Sequence, residues 1–434
     1  MGLYRQQPRA DRVPAPERGR ALQPGLGGVG DGELQAETLR NHSPRGGAGS
    51  EAGRAGQFTA GGIRPWRRDE QADLYHGHVL DVLPALPDES VNAVVTSPPY
   101  YGLRDYGTAR WSGGDPACAH EGTGQRTARE TCVRCGASRV DQQIGLEASP
   151  AEYVRSIRSV FAEIKRVLRQ DGTVWLNLGD CYYSGRVPGP RSRDPKQAAR
   201  RGWLRPLDQP GQEWAKPKDL LGMPWRVALA LQADGWWLRS AIVWHKLNCT
   251  PESARDRPSS RYELVFLLTR SARYWFDLDA IRQPHADASL RRARPHRADP
   301  GRSSRKGLPN AGISGPQTFR REQMTHPAGA NPGNVWAIPA GSFRGAHFAT
   351  FPEELARRCI LAGCPEGGTV LDPFAGAGTT LMAARRLGRR AIGIDLSLRY
   401  LEIARTRVMA ESSAKARRPP GSDRGTADGP GGAA

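Results

Sequence analysis

Apolar positions along this chain recur at two different periods. ADLYHG (72–77) and NAVVT (92–96) are short runs rich in β-branched and aromatic residues, the pattern of buried strands. From Pro150 to Leu168 the period changes. Tyr153, Ile157, Val160, Phe161, Ile164 and Leu168 return every three or four residues, which predicts a helix. A break at Gly172 leads into TVWLNLGD (173–180), a buried strand. A further helix is expected over Pro224–Ala233, with strands near Trp237–Trp244 and Tyr262–Thr269. After a long polar gap the pattern resumes. It gives a helix over Pro352–Leu361, the strand TVLD (369–372), a helix ending at Leu387, the strand AIGID (391–395) and a last helix. Strands alternating with helices imply a doubly wound, mostly parallel α/β sheet, in which ligands sit beyond the carboxyl ends of the strands.

Other stretches break this pattern. Residues 1–65 are dominated by Gly, Pro, Arg and Ala and lack apolar periodicity, so they read as a disordered basic tail, as does 412–434. Residues from Ile281 to Ser342 are rich in Arg, Pro, Ser and Gly, a composition that does not build a compact core. The expected layout is one half of a catalytic domain over 66–280, a basic insertion over 281–345, and a second half over 346–411.

Charge then narrows the partner. A net charge of +19 suits a polyanion, most simply nucleic acid, although basic tails alone produce the same number. Two Arg/Lys-rich segments, Arg186–Lys218 (within a loop at 185–218) and Arg282–Arg321, carry Trp203, Trp214 and Phe319 among their cations, as expected of groove-facing segments. Seven cysteines in a chain this long argue against a disulfide scaffold and for a reducing, cytoplasmic compartment. No apolar run reaches the roughly 18 residues that a membrane span requires, so no membrane partner is expected.

VLDPFAGAGTTLMAARRLGRRAIGIDL (370–396) runs from strand to glycine turn to helix, then to a strand ending in an acid. Gly376 and Gly378 let the backbone approach a ligand, and Thr379 opens a helix whose N-terminus favours an anionic group. Asp395 stands where its carboxylate can accept both hydroxyls of a ribose. A dinucleotide turn would want glycine at Leu381, and a phosphate loop would want Gly-Lys before the threonine. An adenosyl ligand without a phosphate chain remains, and S-adenosylmethionine is the common one. Asp372, Pro373, Phe374 and the pair Thr379–Thr380 set this turn apart from an ordinary βαβ connection.

Between 112 and 140, Cys118, His120, Cys132 and Cys135 form a Cys-x-His and a Cys-x-x-Cys half-site. Four soft ligands so close together, in a chain otherwise poor in cysteine, read as a structural zinc knuckle with no position left for water.

The pair TSPPY (96–100) and DPFAGAGTT (372–380) resembles bacterial and phage DNA amino-methyltransferases, in the permuted class whose catalytic motif precedes the cofactor motif. The resemblance spans about 72–410 and implies a Rossmann-like methyltransferase fold acting on double-stranded DNA. It adds Thr96 to the cofactor set, FPEEL with Phe351 and Pro352 as a cofactor-contacting helix, and Asp81 as an acid near the adenine. KLNCTPES (246–253) resembles a segment lining the site, and the basic insertion would read the target.

An exocyclic amine is a poor nucleophile because its lone pair is delocalised into the ring, so an enzyme must hold that nitrogen with acceptors. Two prolines fix φ and withhold their N–H groups, leaving the Pro98 carbonyl as one acceptor beside Pro99. The Ser97 hydroxyl offers another, and Tyr100 a face on which an extruded base can stack. The resemblance implies cytosine N4 as the target, since in that family serine at the first motif position leans to cytosine and aspartate or asparagine to adenine N6, although a serine hydroxyl can meet either amine. Attack on carbon 5 would need a Pro-Cys nucleophile, and the chain has none. Further readings are an RNA or protein methyltransferase and a non-catalytic, zinc-containing DNA-binding protein. A cognate restriction endonuclease is an expected companion, and the enzyme itself is expected as a monomer or dimer.

Overall fold

The computed structural model describes residues 63–120, 131–186, 206–249, 251–293, 326–341 and 351–416. Both tails up to 62 and from 417, and most of the two basic segments (187–205 and 294–325), lie outside the described residues.

Eleven strands are described: β1 Arg67–Arg68, β2 Ala72–His76, β3 Val91–Thr96, β4 Arg110–Ser112, β5 Ser138–Val140, β6 Leu168–Leu178, β7 Trp237–His245, β8 Tyr262–Thr269, β9 Val335–Ala337, β10 Thr369–Asp372 and β11 Arg390–Asp395. The helices are α1 Val79–Val82, α2 Pro150–Val167, α3 Met223–Ala233, α4 Asp287–Ala293, α5 Glu353–Gly363, α6 Thr379–Arg386 and α7 Leu398–Ala416. Nine strands form one sheet in the order β1-β2-β11-β10-β3-β6-β8-β7-β9, and β4 and β5 pair separately. From β2 through β6 the strands are parallel, and β8 reverses the direction. The expected mostly parallel, doubly wound sheet is therefore present.

Strand periodicity divides the core into two layers. On β3 and β6, Val94, Val174 and Leu176 face one side, where they meet Tyr153, Ile157, Phe161 and Ile164 of α2 and Val227 and Leu231 of α3. Their neighbours Ala93, Val95 and Trp175 face the other side, against Leu355, Cys359 and Ile360 of α5 and Leu381 of α6. Successive residues of a strand point to opposite faces, and both faces are covered by helices, which is why these strands read as continuous apolar runs. Helix α2 begins at the N-cap Ser149, whose hydroxyl accepts from Glu152 N, with Pro150 in the first turn. Each large side chain buried along its stripe contributes about 1.5–3 kcal/mol.

Two expectations need correction. The segment from Ile281 to Ser342 was expected to build no compact core and was given no strand, yet β9 pairs in parallel with β7 and buries Trp336 against Trp175, ring centroids 6.2 Å apart. The apolar run VWAI is short and flanked by Pro and Gly, so composition over a long window hides it. At the other end α7 continues to Ala416, past the expected tail boundary at 412.

Candidate active site

β3 and β10 lie side by side although residues such as Thr96 and Asp372 are far apart in sequence. From this pair the chain winds outward in opposite directions, β10 to β11 and β3 to β6. Such a switch point opens a crevice at the strands' carboxyl ends. The two motifs end on its two sides.

On the side of the glycine turn, Asp372 is 2% exposed. Its Oδ1 accepts from Thr96 Oγ1 at 2.7 Å and from Phe374 N at 3.1 Å. The Thr380 hydroxyl donates to Val95 O, tying α6 back to β3. Gly376 and Gly378 have φ of +50° and +75°, and a Cβ on Gly378 would stand 2.9 Å from Ala404 Cβ. At the tip of β11, Asp395 Oδ2 accepts from Gly376 N at 2.8 Å and Oδ1 from Ser397 N at 2.7 Å. Burial raises the carboxyls of Asp372 and Asp395 to about 6 each.

The crevice is lined by Asp372 and Asp395, by the aromatic rings of Phe351, Phe374, Tyr106 and Tyr400, and by no lysine or arginine among the described residues. That lining repels a phosphate chain and suits a cationic adenosyl ligand. Ser97 and Pro99 reach it from β3; Pro373, Gly376 and Thr379 reach it from the glycine turn. Pro98 and Tyr100 stand behind this surface, as do Thr96, Pro352, Gly378 and Thr380. Asp81 is exposed in the first turn of α1 and outside the lining, and its segment reaches the crevice through Gly77, His78 and Val79 instead.

At the Ser-Pro-Pro-Tyr corner, Tyr100 is wedged in place. A Cβ on Gly179 would come within 2.6 Å of Tyr100 Cε2, so the ring rests on that backbone. The Tyr100 hydroxyl donates to Glu263 Oε2 at 2.7 Å and accepts from Asn177 Nδ2 at 2.8 Å and from Ser97 Oγ at 3.2 Å. Glu263 in turn pairs with Lys246. Tyr153 Oη donates to Pro99 O at 2.9 Å, and the phenols of Tyr100 and Tyr153 are both held protonated, well above their ordinary range, chiefly by burial.

A family model described as DNA methylase, of the N6/N4 class, matches residues 91–406. The chain belongs to the N6/N4 DNA methyltransferases. It is 39% identical to the Type II methyltransferase M.Cfr9I of Citrobacter freundii over 79% of this chain and 89% of that protein. It is 36% identical to M.SmaI of Serratia marcescens, over 77% and 89%. S-adenosylmethionine is thus the methyl donor and DNA the substrate of this methyltransferase.

Asn177 and Glu263 were not singled out in the sequence. Each is a polar residue inside an apolar strand run, VWLNL and YELVFLL, and that interruption was the available signal. Lys246 opens the KLNCTPES segment that was expected to line the site. Trp214, expected at a DNA groove, instead packs against Tyr183 and Tyr101, centroids 5.1 and 6.3 Å away. Trp203 and Phe319 lie outside the described residues.

The four expected metal ligands converge. Ligand atoms of Cys118, His120, Cys132 and Cys135 all lie within 4.8 Å of one another, with Cys118 Sγ to Cys132 Sγ at 3.9 Å and Cys135 Sγ to His120 Nδ1 at 3.5 Å. Tetrahedral zinc, with bonds of about 2.3 Å to sulfur and 2.0–2.1 Å to nitrogen, needs separations close to these. Trp111 stacks on the His120 ring, centroids 5.2 Å apart. No helix among the described residues is long and apolar enough to cross a membrane.

Proposed function

We propose that this methyltransferase modifies the N4 amine of cytosine, in double-stranded DNA, with the base turned out of the helix into the crevice between β3 and β10. The adjacency of those two strands supports the reading, because it brings Ser97 and the glycine turn to the lining of one crevice. S-adenosylmethionine supplies an electrophilic sulfonium methyl when bound. Asp395 would accept the ribose hydroxyls, since each of its oxygens takes one backbone N–H and keeps a lone pair. Phe351 and Phe374 would flank the adenine, with Pro352 setting the start of α5 behind Phe351.

Ser97 would accept from the target amine and so leave its lone pair free to point into the crevice. The serine hydroxyl is oriented for this by Tyr100, which Glu263 and Asn177 hold in turn. Pro98 and Pro99 fix the backbone so that a carbonyl can share the amine. Tyr100, half-buried and backed by Gly179, would offer its other ring face to the base once the base has entered past Ser97 and Pro99. Ser97 is what favours cytosine over adenine here. Replacing Tyr100 by Ala is expected to cut transfer about a hundredfold, as misplacement of reacting groups does, while DNA binding persists. Unchanged transfer would remove Tyr100 from the mechanism.

The Cys118, His120, Cys132 and Cys135 cluster would hold a structural zinc ion, all four positions being filled by the protein. The basic insertion 281–345 would contact the DNA backbone and read the target. The Type II names of the relatives support pairing with a restriction endonuclease, and the sparse, unpaired cysteines suit a reducing cytoplasm. The base is tested by digesting methylated DNA to nucleosides. N4-methylcytosine is expected, and N6-methyladenine as the sole product would overturn the choice.

A further inference from the structure

The zinc cluster stands at the far end of a ribbon, and the near end of that ribbon forms part of the crevice. We propose that metal occupancy and cofactor binding are coupled through this ribbon. The proposal rests on the zinc reading above.

The excursion leaves the core at Gly102 and returns at Gly145, where Gly102 N donates to Gly145 O at 2.8 Å. A Cβ on Gly145 would press on Pro99 and on the Tyr100 carbonyl, so this stem touches the catalytic corner directly. Just above the stem, Tyr106 and Thr108 on the outgoing arm and Gln142, Gln143 and Ile144 on the returning arm line the crevice. Tyr106 meets Tyr400 of α7 edge-on, centroids 5.9 Å apart, which joins the ribbon to the side of the crevice that carries Asp395.

Polar bonds hold the two arms together. Gln143 Oε1 accepts from Tyr106 N and its Nε2 donates to Arg104 O, both at 2.7 Å. Thr108 Oγ1 donates to Asp141 Oδ1 at 3.4 Å, and Arg139 reaches Asp141 at 3.0 Å and Asp105 at 3.6 Å. Beyond them come the three residue pairs of β4 and β5, then the cluster.

Among the described residues, hydrophobic burial does not hold the distal half. Of the described residues from 110 to 140 only Cys132 and Ala137 are buried, and Val133 is 72% exposed. Fixing one residue's backbone costs about 1–2 kcal/mol, so two small buried side chains do not order such a segment. Ligation can supply the missing free energy, as it does in small metal-dependent folds. A metal that fixes the register of β4 against β5 therefore fixes where Tyr106 and Gln143 meet the cofactor. Coupling of this kind is reciprocal, and bound cofactor must tighten the metal by the same factor.

The test uses the full-length protein and S-adenosylhomocysteine as probe. Zinc is partitioned at equilibrium against a chromophoric chelator, with and without saturating probe. The chelator concentration for half removal is expected to rise about tenfold with probe bound, within the usual range of coupling between sites. An unchanged midpoint overturns the coupling and leaves the zinc reading intact. Protein that contains less than half an equivalent of zinc, and takes up none when it is added, overturns the zinc reading and the coupling with it. Cys135→Ser gives a second measure. Its calorimetric Kd for the probe is expected to weaken about tenfold while the main unfolding transition stays in place. An unaltered Kd in metal-depleted Cys135→Ser counts against the proposal, and if that variant does not fold the chelator partition on the unmodified protein decides.

Discussion

The crevice between β3 and β10 has two walls made in different ways. The sheet-borne wall, from the glycine turn after β10 to the end of β11, stands on a core in which Leu371, Leu381, Ala383 and Ile394 are 0–1% exposed. The ribbon-borne wall, from Tyr106 to Ile144, is anchored in the core through Ile144 alone and otherwise stands, among the described residues, on side-chain hydrogen bonds, ion pairs and four metal-ligand candidates. One wall is fixed by nonpolar burial that any solvent condition short of unfolding preserves. The other is fixed by polar bonds between its two arms and, on the zinc reading, by a metal at its tip. A site built this way can keep its fold and still lose one side of its cavity.

Matching substitutions in the two walls should break the symmetry most visibly. Gly378 has φ +75° and no room for a Cβ, which would stand 2.9 Å from Ala404 Cβ and 3.1 Å from its Cα. Gly378→Ala adds overpacking of about 1–3 kcal/mol to a left-handed backbone cost of about 1–2 kcal/mol, so chemical denaturation should show a loss near 3 kcal/mol. Gly136 has φ +71° and open space around it. Gly136→Ala should carry only the backbone cost of about 1–2 kcal/mol, read as easier loss of zinc to a chelator with an unchanged global transition. Equal global losses for both would mean that the two walls share one core.

Asp395 sharpens the comparison from the ligand's side. Hydrogen bonds to a charged acceptor are worth about 1.5–3 kcal/mol, so Asp395→Asn should weaken binding of S-adenosylhomocysteine roughly 10- to 100-fold at pH 7.5. Burial lifts this carboxyl to about 6, and the charge of Asp372 adds to the shift. Unmodified protein should therefore lose affinity as pH falls below 6, and the gap to Asp395→Asn should close there. Stability of the ligand-free fold runs the other way. Between pH 6 and 4 the native state holds protons on Asp395 and Asp372 that the unfolded chain has released, so these two groups favour folding as pH falls through that window. An affinity that does not change across pH 5–8 would separate Asp395 from the cofactor.

The sheet-borne wall could be read almost whole from the sequence, and the ribbon only at its tip. DPFAGAGTT and the terminal Asp395 announce themselves because glycines and an acid at strand ends are local requirements of one turn. The cysteines and His120 were equally visible by spacing. What lies between was not, because Tyr106, Thr108 and Gln143 have no periodicity and acquire their position only when the two arms meet. Asn177 and Glu263 were hidden for a related reason. They sit on different strands, and only the β6–β8 register brings them to Tyr100. Asp81 is the opposite case: its motif position marked it, and it stands exposed on the first turn of α1 outside the crevice lining, which its segment reaches through Gly77, His78 and Val79.

The smallest expected effect tests how firmly the two halves of the chain are joined beneath the crevice. Thr96, at the end of β3, gives its hydroxyl proton to the buried Asp372 at the end of β10. Thr96→Val keeps the shape and removes that bond, leaving Phe374 N as a donor to the same oxygen. A hydrogen bond to a charged group lost in this way should cost about 1.5 kcal/mol at pH 7.5. With one donor fewer, the Asp372 carboxyl should rise above its present value of about 6. Protonation then removes most of the penalty, so the difference between Thr96→Val and unmodified protein should shrink at pH 5. A deficit of the same size at both pH values would mean that the methyl-for-hydroxyl exchange disturbs packing between β3 and β10 rather than the charge on Asp372.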